Sequence, residues 1–324
     1  MLAQLARRAL AGAAVVVGVV TLTFLLIRLA PGDPVERLLG PTATPAQLAA
    51  QRQSLHLDRP IAAQYAAWLG RVTEGDWGRS IATGRPVRVV LSDALPATLE
   101  LVGLSLLLSY ALGLAVGVWQ AGAGPRLDTA LSMATVTLFA LPGYWLGLML
   151  VMAFTYWAHW LPAFGAVGLD ADALTGWSRV ADRLRHLALP LATLTLVGVG
   201  GAARYVRGSM REVQGQPFVR TAHAKGLSPW QVIRRHVTRN ALIPVVTLLG
   251  LSLPALFSGA VFVEAVFAWP GLGRRLVEAV QARDYPVVLA ATTVTAILVV
   301  VGNLLSDVCV TWIDPRIRHA REET

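Results

Sequence analysis

The chain is short of cysteine, lysine and charge, and each shortage narrows what it can be. Cys309 is the one cysteine in 324 residues and lies in an apolar run. No intrachain disulfide or cysteine metal cluster can be built from it, so its default role is packing. Lys225 is the one lysine among 28 basic residues, an arginine bias that reads as a coding preference rather than chemistry. A phosphate-cradling P-loop needs Gly-Lys followed by Ser or Thr, whereas Lys225 follows Ala224. The chain therefore does not hold ATP in that way; if ATP drives it, another subunit binds the nucleotide. His-Glu-x-x-His and Gly-x-Ser-x-Gly are also missing, which removes the common metalloprotease and serine-hydrolase signatures.

Charge is the largest shortage. Charged residues make up 15% of the chain and hydrophobic ones 55%, where a soluble domain carries about 25% charged. A bilayer relieves the need for polar surface, so the composition describes an integral membrane protein. The net charge of +9 would suggest nucleic acid in a soluble domain. Here aromatic and basic residues do not interleave in any soluble module, and cytoplasmic loops of membrane proteins collect arginine. Nucleic acid is excluded as a partner on that ground, and membrane lipid is the expected surroundings.

A helix needs about 18 to 20 apolar residues to cross the hydrocarbon core, and a lone lipid-facing strand would leave its backbone groups unpaired. Six segments read as spans: 9–27, 101–119, 129–157, 187–203, 241–263 and 287–306. The first has a basic start, but its apolar core is too long for a signal peptide and no Ala-x-Ala site follows, so it is expected to stay uncleaved. Between the fourth and fifth lie Arg204, Arg207, Arg211, Arg220, Lys225, Arg234, Arg235 and Arg239 against the single acid Glu212. Arg7 and Arg8 precede the first span, and Arg316, Arg318 and Arg321 follow the last. Alternating spans put all three segments on one side, which the positive-inside rule makes cytoplasmic, with both termini there.

The expected organisation is a cytoplasmic N-terminus and first span over 1–30 and an extracytoplasmic loop over 31–96. A transmembrane core over 97–313 contains a cytoplasmic loop at 206–240, and a tail occupies 314–324. In the outer loop, Thr44-Pro-Ala-Gln47 fits a capping box. A second short helix is expected over 59–72, and Gly75-Asp-Trp-Gly78 reads as a turn.

Ionisable residues in spans are functional candidates by default, and there are few. Arg28 can snorkel from the outer end of the first span, Glu100 opens the second, Glu264 ends the fifth and Asp307 lies near the inner end of the sixth. Each reads as an interfacial or helix-packing group, and no chain of acids crosses the midplane, so a proton relay is not expected. His159, Asp170, Asp172 and His186 fall in one outer loop, but their irregular spacing fits a solvated loop better than a metal site. Gly113/Gly117 and Gly143/Gly147 are small-residue pairs four apart. They suit close helix crossings, within the chain by preference over pairing with a second subunit.

The basic loop has its own grammar. Pro217 opens a short helix, Phe218, Thr221, Ala222 and Lys225 follow at helical spacing, and Gly226 stops it. Ser228-Pro229 caps a second helix through Trp230, Ile233 and Val237. Ala222 and Ala224 leave little bulk, a surface that another protein could approach closely. Physical reasoning alone leaves a docking element and a plain topological anchor equally open.

The loop resembles the EAA loop of ABC importer permeases, a Glu-Ala-Ala, three intervening residues and then glycine. Arg220-Thr221-Ala222 stands at those positions and Gly226 at the glycine. Arg for Glu, Thr for Ala and the displaced Ile243-Pro244 match the dipeptide/oligopeptide/nickel branch. Ala30-Pro-Gly-Asp-Pro34, Leu57-Asp-Arg-Pro-Ile61, Gly75-Asp-Trp-Gly-Arg-Ser80 and Leu95-Pro-Ala-Thr-Leu-Glu-Leu101 extend the resemblance. So do Phe262-Val-Glu-Ala-Val-Phe-Ala-Trp-Pro-Gly-Leu-Gly273, Arg283-Asp-Tyr-Pro286 and Asp314-Pro-Arg316. The long loop after the first span resembles the first-named permease of the pair.

The resemblance implies an all-α polytopic membrane protein with the type I ABC importer permease fold and six transmembrane helices. Small extracytoplasmic helices would lie between the first two. It also implies a second homologous permease, two ABC ATPase subunits that bind ATP and Mg, and an extracytoplasmic solute-binding protein. This chain would carry no catalytic, metal or cofactor-binding residue and would move peptides or a similar small solute. ATPase docking would fall on Phe218, Val219, Arg220, Thr221, Ala222, His223, Ala224, Lys225, Gly226, Leu227 and Ser228. An ATP-independent secondary transporter is the alternative from another class. It would need ion-coupling residues near the midplane, and none is seen.

Overall fold

The computed structural model describes residues 2–29, 35, 39–40, 42–54 and 57–313. Among these the only strand-like pairing is one antiparallel bridge, Arg79 to Pro86; the rest of the regular structure is helical. In chain order the helices are α1 (Leu2–Leu29), α2 (Pro45–Ser54), α3 (Ile61–Thr73), α4 (Val87–Ala121), α5 (Pro125–Ala140) and α6 (Gly143–Leu150). Then come α7 (Gly176–Gln214), α8 (Pro217–Ala224), α9 (Pro229–Val232), α10 (Thr238–Leu251), α11 (Leu253–Val266), α12 (Leu272–Ala282) and α13 (Tyr285–Ile313).

Among the described residues four helices, α1, α4, α7 and α13, are long and apolar enough to cross a membrane. A fifth span forms if α5 and the segment Gly143–Trp157 count as one across their 104° bend. The single helix expected over 129–157 is thus broken. Leu141 precedes Pro142 and takes an extended conformation (φ −72°, ψ 133°), because the proline ring disfavours the helical conformation in the residue before it. A seven-residue π-helical segment, Val151–Trp157, closes the second arm. The apolar segment 241–263 is likewise two helices of 14 residues, α10 and α11, that meet at Ser252. Pro254 sits in the first turn of α11, where its missing N–H costs least.

Two compact units can be told apart, Met1–Thr98 with Pro270–Val300 and Leu99–Trp269 with Val301–Thr324. In the first unit α3 packs on α1: Tyr65 and Trp68 meet Phe24, with the Phe24 and Tyr65 rings 5.1 Å apart edge to face. Thr21 and Tyr65 share a hydroxyl hydrogen bond of 2.6 Å. The Thr44 capping box forms as expected, Gln47 N donating to Thr44 Oγ1 at 3.3 Å and Thr44 N to Gln47 Oε1 at 2.9 Å. Helix α3 begins two residues later than expected, with Pro60 at its N-cap. In the 75–78 turn, both glycines have positive φ and Gly78 N donates to Asp76 Oδ1 at 2.9 Å.

Asp284 joins two motifs that are some 200 residues apart in sequence. Ser80 Oγ donates to its carboxylate, as do Ile81 N at 3.0 Å and Ala82 N at 3.2 Å. Arg283, in the left-handed conformation (φ 57°), turns the chain after α12 so that Asp284 is buried at 2% exposure.

In the second unit glycine sets the distance between helices. A Cβ on Gly113 would lie 2.5 Å from Ala202 Cβ, and one on Gly117 would lie 2.6 Å from Val206 Cβ. A Cβ on Gly200 would meet Phe139 N and Thr135 O at 2.7 Å. So α4 and α5 both touch the backbone of α7, and the Gly113/Gly117 pair serves a crossing within the chain. Gly147 approaches Phe267, whereas Gly143 faces open space.

Candidate functional site

The site expected from sequence is the connection between α7 and α10. Gln216 is extended (φ −72°, ψ 147°) and Pro217 occupies the first turn of α8. The helix ends at Lys225 and the chain reverses at Gly226, whose φ is +82°. Gly226 N donates to His223 O at 2.9 Å and Leu227 N to Ala222 O at 3.4 Å. These two bonds make a Schellman motif, which needs the left-handed residue that glycine supplies without strain. A Cβ at Gly226 would touch nothing within 4 Å, so conformation rather than space demands glycine here.

Ser228 then caps α9 through a full capping box, with Gln231 N to Ser228 Oγ at 3.4 Å and Ser228 N to Gln231 Oε1 at 3.1 Å. The chain passes through a π-helical turn, Ile233–Val237, into α10. A π turn rotates the register of the faces by adding a residue, and here Val232, Val237 and Ala241 all end on the buried side.

The corner is seated, not dangling. Val219 and Ala222 are 4% and 6% exposed and join a core cluster with Val206 and Met210 of α7, Val232, Val237, and Ala241 and Val245 of α10. Tyr110, Leu114 and Val118 of α4 pack against the same cluster. Ser209 Oγ reinforces it by donating to Ala241 O at 2.9 Å. Ala222 therefore faces the chain's own core, and the small surface expected around Ala222 and Ala224 is divided: only Ala224 stays open. Phe218, Arg220, Thr221, His223, Ala224, Lys225, Gly226 and Ser228 are exposed, and Leu227 is half-buried. Trp230, after the corner, is 60% exposed and Phe218, before it, is 42% exposed. The sequence carries both aromatic residues on this short connection, and only the structure shows that both side chains lie in the open.

Behind the seat, charge ties three helices together. Asp128 in the first turn of α5 accepts from Arg207 Nε at 2.6 Å and Nη2 at 2.7 Å, and from Arg211. The Gln120 amide of α4 donates to Asp128 O at 3.0 Å and Ser132 Oγ at 2.7 Å, and Gln214 Nε2 donates to Ala121 O at 3.2 Å. Arg204 lies over the Phe139 ring, 5.2 Å from its centroid. Three of the eight basic residues read as topological charge therefore hold specific partners. The bidentate fork of Arg207 on a carboxylate is a geometry lysine cannot supply.

The other candidates resolve differently. Glu100 pairs with Arg183, whose guanidinium also lies 5.4 Å from the Trp269 ring centroid. Glu264, expected as an interfacial or helix-packing group at the end of the fifth span, lies in the last turn of α11 and is 0% exposed, so it packs between helices. His186, expected in a loop, is inside α7, where its Nδ1 bonds Asp182 O at 2.9 Å. Among the described residues no group of three or more His, Cys, Asp or Glu side chains could hold a metal.

With this geometry in view, comparison with known proteins is specific. The family described as binding-protein-dependent transport system inner membrane component matches residues 111–319, and its N-terminal counterpart matches residues 1–102. The chain is 36% identical to the oligopeptide transport system permease protein AppB of Bacillus subtilis (strain 168), over 98% of this chain and 100% of that protein. It is 38% identical to the di/tripeptide transport system permease protein DppB of Pseudomonas aeruginosa (strain UCBPP-PA14), over 94% and 95%. Among solved structures, an inward-facing MetNI methionine ABC transporter chain superposes with a TM-score of 0.58 at 19% identity, covering 71% of this chain and 98% of that one; at that identity the likeness concerns the fold. The chain belongs to the binding-protein-dependent transport system inner membrane component family: it is a multi-pass inner-membrane permease subunit that carries no cofactor and is not itself an ATPase.

Proposed function

We propose that this permease is one of two homologous membrane subunits of a peptide importer, driven by ATPase subunits that dock on α8. A solute-binding protein would deliver di- or oligopeptides to the outer face. The chain would cross the membrane six times with both termini cytoplasmic, α10 and α11 forming the fifth span as one broken element. The observation that carries the docking reading is the two-faced character of α8. Val219 and Ala222 anchor it to α4, α7 and α10, while Phe218, Arg220, His223 and Lys225 stand free for a partner. Trp230, beyond the Gly226 corner, is exposed as well. A helix gripped on one side by its own bundle and on the other by an ATPase moves as the ATPase moves. Coupling then requires only that the two states differ in contact energy at both surfaces. Peptide transport in two full-length relatives supports the substrate class.

Two substitutions separate docking from seating. Phe218→Asp alters the exposed face only, and should abolish co-purification of the ATPase subunits and peptide uptake while the permease keeps its thermal midpoint. Val219→Asp buries a charge in the cluster and should lower that midpoint as well. Normal ATPase co-purification and uptake with Phe218→Asp would remove the docking proposal.

A further inference from the structure

A cleft of about 240 Å³ lies in the first unit between α1, α3, the 78–81 segment and the start of α13. It is far larger than the roughly 30 Å³ that one water occupies in the liquid. Four arginines line it, Arg28, Arg59, Arg71 and Arg79, and among the described residues no acidic side chain does. Arg28 is held between two rings, its guanidinium 5.2 Å from the Phe24 centroid and 5.3 Å from that of Tyr285. Arg79 Nε donates to Gly84 O at 2.9 Å. Among the described residues, none of the four pairs with a carboxylate. Like charges gathered in one cleft repel one another, so the cleft favours an anion.

The position selects the kind of anion. Arg28 is in the last turn of the membrane-crossing α1, and Tyr285 opens the membrane-crossing α13, so the cleft lies where spans leave the hydrocarbon. In the preceding turn of α1, Leu25 is 42% exposed on the side next to Arg28, an apolar flank suited to an acyl chain. Phe24, Trp68 and Leu289 add an apolar wall to the cleft itself. Guanidinium groups suit the oxygens of a phosphate, and phosphates tethered to acyl chains concentrate at this depth.

We propose that this cleft is a phospholipid-binding site, in which Arg28, Arg59 and Arg71 grip the headgroup phosphate and α1 receives an acyl chain. The lipid would fix α3 against α1 and so set the outer cap, independently of what the permease transports.

The test is native mass spectrometry of the full-length permease released from detergent, with added phosphatidylglycerol or with inorganic phosphate. The native chain is expected to retain one phosphatidylglycerol that the Arg59→Gln/Arg71→Gln pair loses by at least tenfold. Arg88→Gln, an exposed arginine outside the cleft, should retain it. Both cleft arginines are exposed, so the pair should fold, and an unchanged thermal midpoint without lipid checks this. If that pair fails to fold, Arg71→Gln alone should show a graded loss. Equal retention by native and cleft-variant chains would overturn the site. Binding of inorganic phosphate in place of lipid, lost in the same variants, would overturn the lipid assignment and leave a free-anion site.

Discussion

At the scale of single residues, the side chains with most at stake are those that join distant parts of the chain. Asp284 accepts three hydrogen bonds from the 80–82 loop while 2% exposed. Hydrogen bonds to a buried charge contribute about 1.5–3 kcal/mol each, and they are not additive. Asp284→Ala should therefore lower unfolding free energy by about 3 kcal/mol in a denaturant titration in detergent, and Asp284→Asn, which keeps an acceptor, by less. No change in either variant would mean that the loop holds its shape without the carboxylate. Ser80 and Asp284 stand in separate motifs, and nothing local in the sequence records a contact over 204 positions. Asp128 was invisible for the same reason. Its arginines were legible as charge, and charge alone is accounted for by topology, so their partner emerged only when α5 lay against α7.

At the scale of elements, capping signals were legible and interruptions were less so. Thr44, Ser228 and Gly226 each do what their residue type suggests, because caps and left-handed corners are decided within four or five residues. Pro142 and Pro254 interrupt apolar segments that composition alone reads as continuous. Hydropathy counts residues and is blind to a 104° bend. Helix crossings give a direct test of packing. Gly117→Ala would put a Cβ 2.6 Å from Val206 Cβ and 2.9 Å from Ala203 O. Since backbone cannot yield as a side-chain tip can, the expected loss is about 1–3 kcal/mol. Gly103→Ala in the same helix meets nothing within 4 Å and should be neutral to about 1 kcal/mol stabilising. Thermal midpoints of the two variants in one detergent decide the matter. If they shift alike, the glycines are not spacing α4 from α7.

At the scale of the whole molecule, the proposed six-span topology makes the segment around residue 59 extracytoplasmic and the segment around residue 225 cytoplasmic. With Cys309→Ser as background, Arg59→Cys should react with an impermeant maleimide in intact cells. Lys225→Cys should react only after the membrane is opened. Labelling of both from outside would reverse or break the six-span arrangement and with it the docking of cytoplasmic ATPases on α8.

Sequence by itself determined that the chain is a helical membrane protein without a P-loop of its own. It also placed a glycine corner in the basic connection between two apolar segments. These follow from composition and from hydrogen bonding within a few residues, which no tertiary contact need supply. The tertiary structure decided which face of α8 is spent on seating, since whether Ala222 points inward depends on where α7 and α10 lie. It decided also that Asp128 answers Arg207 and Arg211, and that four arginines from separate segments line one cleft. Burial and charge pairing depend on distance in space, and distance in space is what a linear pattern does not contain.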